Sequence, residues 1–207
     1  MLDLKSKWNQ LAQEYSQDSS LIGSLWEEIE LAYTHKKRHY HNLNHITYML
    51  NKAYEFHDEI EDMGIFSFSI FYHDIVYNTS KKDNEEKSAQ LAKKRLEKLN
   101  LSDEQILKCE HQIIATKLHN EQSSSDTNYL VDIDLAILAE DWPIYLNYTL
   151  QIRKEYSIYP EFMYRKGRKK VLHHFLDMDR IFKTDTFFQA REQNARKNLE
   201  KELNSLL

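Results

Sequence analysis

The sequence predicts an all-α protein, and three observations carry that prediction. Three glycines and two prolines in 207 residues leave few turn-formers for a β-rich chain. Leu, Glu, Lys, Gln and Ala, which give up little freedom on entering a helix, are abundant. Apolar residues also recur at intervals of three and four along most of the length.

Leu4, Trp8, Leu11 and Tyr15 lie on one helical face and predict a first helix ending near Asp18. A second covers about 21 to 35. Residues 36 to 43 read as a loop, and a third helix is expected to start near Asn44 as N-cap, with Ile46, Met49, Leu50, Ala53 and Phe56 inward. "GIFSFSIFYHDIVYN" is apolar nearly all round and predicts a central, buried helix. The fifth helix, about 84 to 99, has Ala89, Ala92 and Leu96 along one face. Ser102 with Gln105 signals a capping box for a sixth helix running to about Leu118. "HNEQSSSDTN" is a loop, followed by helices through "YLVDIDLAILA", after Pro143, around 161 to 181, and from about Thr186 to the C-terminus.

No repeat or linker divides the chain, so a single domain is expected over 1–207, with a functional core at about 36–140 and a helical extension at about 143–207. No run of 18 apolar residues occurs, and "MLDLKSKWNQ" lacks a signal-peptide layout, so no membrane partner is expected. One cysteine, Cys109, fits a reducing, cytoplasmic setting. A net charge of −5 argues against a nucleic-acid partner. The amphipathic terminal helices are compatible with a monomer or a homodimer.

The candidate chemistry lies in the histidines and aspartates. His57-Asp58 leads into "EIEDMG" and reads as a solvated helix end. His73-Asp74 sits inside "FSIFYHDIVY", apolar on both sides, where an ionised carboxylate needs a partner or a metal. "RHYHNLNHI" places His39, His41 and His45 in nine residues, and His45 rides the first turn of a helix whose apolar face must meet the buried His-Asp segment. In "VDIDLAIL", Asp132 and Asp134 are two apart and cannot share a face, so one points towards His73 and Asp74 while the other stands behind it or faces solvent.

His45, then His73-Asp74, then Asp134, on separate helices of an all-α chain, resembles the HD-domain superfamily of metal-dependent phosphohydrolases. "RHYHNLNHI", "FYHDIVYN", "DNEEKSA", "VDIDLAIL", "RKEYSIYP" and "GRKKVLHHFL" look like its predicted metal-dependent phosphohydrolase branch over about residues 36 to 200. The resemblance implies an HD-type helical bundle in which His45, His73, Asp74 and Asp134 hold a divalent ion, with Asp132 supporting them. Imidazole with carboxylate suits Mn, Fe, Co, Ni or Zn, with Mg also compatible, as one ion or two per chain. Such an ion lowers the pKa of its water from 15.7 towards about 7 and supplies hydroxide to a phosphorus centre.

The implied activity is hydrolysis of a phosphoester or phosphoanhydride in a small soluble molecule, a nucleotide above all. A binuclear phosphodiesterase or dinucleoside-polyphosphate hydrolase is the enzymatic alternative, and a non-catalytic metal- or nucleotide-binding regulatory module the other. The catalytic glutamate that some relatives place one turn beyond the aspartate is replaced here by Tyr77. Glu85, four before Ala89 and seven before Ala92, points inward and is the substitute proton carrier, with Glu86 on the solvated side. His119, eight after His111 on one helix, is a second candidate for proton handling or a second ion, and His111 itself is expected in the core. Asp74 would serve as both ligand and catalytic group. Arg38, His41, Lys117, Arg153 and Arg168 are the candidates for meeting phosphate. His173 and His174 read as surface.

Overall fold

The computed structural model describes residues 3–206. Among them it contains ten α-helices and no strand: α1 Leu4–Gln13, α2 Ser19–Tyr33, α3 Leu43–Glu55, α4 Met63–Tyr72, α5 Asn84–Lys98, α6 Asp103–Ala115, α7 Ser125–Leu135, α8 Trp142–Glu155, α9 Glu161–Leu176 and α10 Asp185–Ser205. Short 3₁₀ turns lie at His57–Glu59 and Ala136–Ala139. The all-α expectation holds. No described helix is long and apolar enough to cross a membrane.

α4 is the hub. Ile65 through Tyr72 are all buried, and the helix touches α3, α5, α6 and α7. A helix without a polar face has to be covered on every side. On one flank Trp8 of α1 meets Phe68, Phe71 and Tyr72 edge-on, at centroid distances of 5.4–6.0 Å. Inside the bundle Ser69 Oγ lies 3.2 Å from the sulfur of Cys109, whose burial pushes the thiol up to about 12.

α4 is shorter than the apolar run suggests, because it ends at Tyr72 and releases His73 and Asp74 into a turn. The backbone groups freed there are met by side chains from elsewhere. Asp74 N–H donates to the Tyr33 hydroxyl (3.3 Å) and Val76 N–H to Ser88 Oγ (3.1 Å). Arg38 donates to the carbonyls of Asp74 (2.7 Å), Ile75 (2.8 Å) and His41 (3.1 Å). With its polar groups met outside the helix, the backbone can turn without burying orphans.

Other boundaries follow local capping. Asn42, not Asn44, caps α3 by accepting Asn44 N–H, which makes His45 a first-turn residue. The Ser102–Gln105 capping box forms in full. α6 closes at Ala115 rather than Leu118, and His119 follows with φ 54, its N–H bonded to the Ala115 carbonyl. His119 is therefore not on α6 with His111. His111 is exposed rather than in the core, as are His173 and His174.

Asp132 corrects a second expectation. Its carboxylate accepts Lys183 N–H (2.6 Å), Thr184 N–H (2.8 Å) and the Thr184 hydroxyl (2.7 Å), so it anchors the entry to α10 instead of backing the candidate metal ligands. Burial raises its carboxyl to about 6 despite these donors. Asp132→Ala should leave two half-buried main-chain N–H groups without their acceptor. The expected loss is about 2–3 kcal/mol, read as a lower urea midpoint with an unchanged m-value.

Candidate metal centre

Three segments bring the chemistry together. The first turn of α3 supplies His45, the turn after α4 supplies His73 and Asp74, and the last turn of α7 supplies Asp134. His45 and His73 are almost fully buried, at 3% and 1% exposure. His45 Nε2 lies 3.3 Å from His73 Nε2 and 3.2 Å from Asp134 Oδ1, and His73 Nε2 lies 3.2 Å from Asp74 Oδ2 and 3.8 Å from Asp134 Oδ1. One donor atom each from His45, His73 and Asp74 falls within 4.8 Å of the others, so this group could hold a metal ion. Asp134 borders it.

The donor set fits a cation. His73 Nδ1 lies 2.8 Å from the Ile70 carbonyl, an acceptor only, so Nδ1 carries a proton and a neutral ring turns its Nε2 lone pair towards His45 and the carboxylates. Two imidazole nitrogens 3.3 Å apart beside two carboxylates form a nest for positive charge. The electrostatics agree. Burial opposes charge on His73, yet Asp74 and Asp134 overcome it and lift the imidazole to about 9. Burial also opposes ionisation of Asp74 and Asp134, but the surrounding histidines hold both well below the usual carboxylate range. His45 goes the other way, because burial outweighs its carboxylate neighbour, and its Nδ1 is buried without a partner.

Beside this centre opens a cavity of about 680 Å³, reached by Asp74 and Asp134, with His45 and His73 buried behind them. Asp74, Asp134, His41, His119 and Glu85 share its polar end, and tyrosines 40, 77, 148, 156, 159 and 164 form much of the remaining wall. His119 Nε2 reaches Asp134 Oδ2 (3.2 Å), the oxygen not facing His45. A non-glycine residue at positive φ is uncommon, and here that backbone turn accompanies the ring's contact with Asp134. Glu85 is half-buried, and burial raises its carboxyl. Glu86, expected in solvent, ion-pairs with Lys117.

The cations expected to meet phosphate divide. Lys117 lines the cavity while held by Glu86 and the Lys82 carbonyl (2.8 Å). Arg38 does not line it: its guanidinium is taken by the three carbonyls above and stacks over Tyr33 and Tyr77. Arg153 is committed to Glu161 (2.9 Å) and the Tyr156 and Tyr159 carbonyls, closing the turn between α8 and α9. Arg168 sits in the wall in a two-pronged buried pair with Glu202, 2.7 and 2.9 Å. In each case a neighbouring acceptor has captured the guanidinium that composition alone left free. His57 and Asp58 are exposed at 62% and 88%, as expected of a solvated helix end.

No family model, curated protein or solved structure matches the chain.

One residue beside the candidate site escaped sequence reasoning. Glu155, the last residue of α8, is 5% exposed and tethers the histidine-rich loop: Oε1 accepts the N–H groups of His39 (2.7 Å), Tyr40 (2.8 Å) and His41 (3.0 Å), while Oε2 meets His41 Nδ1 and the Tyr77 hydroxyl, each at 2.7 Å. The signal was an acid continuing the inward stripe of Tyr145, Tyr148 and Ile152. Burial alone would raise this carboxyl, but His41, Tyr77 and the loop amides hold it at about 2. A carboxyl depressed on folding stabilises above its unfolded value near 4.5 and loses that contribution as pH falls towards 2. The stability gap between wild type and Glu155→Gln, from urea melts at pH 6 and pH 3, should narrow by about 2 kcal/mol at the lower pH. An unchanged gap would contradict the ionised, multiply bonded Glu155.

Proposed function

We propose that the chain is a metal-dependent phosphohydrolase of the HD-domain type, cleaving a phosphoester or phosphoanhydride bond of a small soluble molecule, a nucleotide foremost. The observation that supports this reading is the convergence of His45, His73, Asp74 and Asp134, from three separated segments, beside a cavity that Asp74 and Asp134 line and that is large enough for a nucleotide-sized ligand. A divalent ion there would supply Lewis acidity and a water ionised near neutral pH. The chain's own groups would do the rest. Asp74 and Asp134 supply the negative charge that attracts the ion, and His73 is oriented by the Ile70 carbonyl. Glu85 and His119 stand at the cavity's polar end as proton carriers, and Lys117 offers positive charge at its rim. The tyrosine wall offers ring faces to a base or other planar group.

A second reading, two ions sharing Asp134, is favoured by its two oxygens facing different histidines, His45 and His119. Elemental analysis separates these: one ion per chain fits the mononuclear scheme, two the binuclear. The activity test is purified protein with Mn²⁺, Co²⁺ or Ni²⁺ against a panel of nucleotides and other phosphorylated metabolites. Release of phosphate or pyrophosphate from at least one compound is expected. Silence across the panel with metal bound would move the reading to a regulatory module. Independently of turnover, Mn²⁺ at about 100 times its Kd should stabilise the fold by roughly 2.7 kcal/mol, a rise in Tm of about 5–10 °C.

A further inference from the structure

Glu155 carries five hydrogen bonds behind the cavity wall, to a loop and a tyrosine whose residues Tyr40, His41 and Tyr77 line it. Its geometry dictates more. An ionised carboxylate only accepts, so the 2.7 Å contact from Oε2 to His41 requires the proton on Nδ1. Nε2 is then the atom His41 presents to the cavity, and it lies 3.9 Å from Asp74 Oδ2. The ring has little freedom to turn. Tyr77 lies across one face, centroids 4.4 Å apart at 32°, and Tyr40 stands edge-on at 5.0 Å. The same Oε2 holds the Tyr77 hydroxyl, so one carboxylate fixes both the imidazole and the ring covering it. Oε1, by gathering three consecutive main-chain N–H groups, sets where His41 leaves the backbone.

We propose that Glu155 is a positioning residue: it fixes the His41 proton on Nδ1 and aims Nε2 at the cavity beside Asp74, where it accepts a hydrogen bond from the water that attacks phosphorus. The placement of His41 stands on geometry alone; the role towards water rests on the phosphohydrolase reading. Imidazoles oriented by a carboxylate on one nitrogen and working through the other are a general device for proton handling. His41 meets it with a partner 114 residues away in the chain.

Glu155→Gln tests the idea with little change in volume. Its amide oxygen is favoured towards the three loop N–H groups, since the reverse would orphan all three. The amide NH₂ then faces His41 and Tyr77 and donates where a carboxylate accepted. His41 Nδ1 must become the acceptor, moving the ring proton to Nε2. Long-range proton–nitrogen NMR on Zn²⁺-loaded protein, chosen because the ion is diamagnetic, should find Nδ1 protonated and Nε2 unprotonated in wild type, and the reverse in Glu155→Gln. Tyr77→Phe, which removes the phenol but leaves the carboxylate, should keep the proton on Nδ1.

With any compound the activity panel returns, Glu155→Gln should lower kcat on the order of 100-fold while KM and Mn²⁺ affinity stay within roughly twofold. Glu155→Asp, which keeps the charge, should retain Nδ1 protonation and recover part of kcat. A wild-type His41 with Nδ1 unprotonated or Nε2 protonated, or a proton that stays on Nδ1 in Glu155→Gln, overturns the proposal. So does a Glu155→Gln protein that loses metal affinity in step with kcat, since that is general damage to the loop. If the proton moves as expected but the panel yields no substrate, the placement of His41 is upheld, and the water-orienting role falls with the phosphohydrolase reading.

Discussion

Asp74→Ala is expected to lose divalent-ion binding by more than about 100-fold, beyond what removing an outer partner of a metal ligand costs, and to lose all turnover with it. Of the three donors within 4.8 Å of one another, Asp74 is the only anion, and without it His45 and His73 are left as a pair of imidazoles. The fold should survive. The contacts that close the turn after α4 run to the Asp74 main chain, its N–H to Tyr33 and its carbonyl to Arg38, and neither needs the side chain. Titration calorimetry with Mn²⁺, turnover and circular dichroism measure the three parts separately. His57→Ala and Asp58→Ala, at the other His-Asp pair, are the controls and should leave all three unchanged. Full activity in Asp74→Ala would remove the site assignment.

Arg168→Met carries the largest expected stability effect. Arg168 and Glu202 are each under 10% exposed, and Glu202 is also bonded by the Tyr145 hydroxyl. Removing the guanidinium leaves a carboxylate buried without its counter-charge, a loss of about 3–5 kcal/mol, where an exposed pair would give at most about 1. For a chain of this length that is roughly a 10 °C fall in Tm. Removing both charges is different in kind: Arg168→Met with Glu202→Leu should recover most of the loss, because no unpaired charge remains. Thermal melts of the two single variants and the double decide it. If the double variant melts no higher than Arg168→Met alone, the cost lies in lost packing rather than in the orphaned charge.

The helical architecture was legible because it rests on local patterns. The apolar run from Ile65 to Tyr72 could only be a covered helix, and the Ser102–Gln105 box forms as its spacing requires. Helix ends were less legible wherever distant side chains set them. α4 stops at Tyr72 because Arg38, Tyr33 and Ser88 supply partners to the backbone beyond it, and no local signal announces three acceptors or donors arriving from elsewhere. The same limit governs the site. The cluster of His45, His73 and Asp74 could be anticipated, since polar groups in apolar surroundings must find one another. The fates of Arg38, Arg153 and Arg168 could not, because a guanidinium goes to whichever acceptor the fold brings near. Asp132 shows the limit most simply: the two-residue spacing from Asp134 established that they diverge, but not that Asp132 would hold the entry to α10.

The tether from Glu155 to the loop at 39–41 also bears on when the centre can be assembled during synthesis. A nascent chain that has cleared the ribosome through α7 already carries His45, His73, Asp74 and Asp134, and Arg38 can bond the His41 carbonyl, but the carboxylate that gathers the N–H groups of residues 39–41 has yet to emerge. That hold arrives with the end of α8, 114 residues after His41. Since chains emerge from the N-terminus onward, ion capture by the partial chain would precede full ordering of the loop at 39–41, which waits for α8.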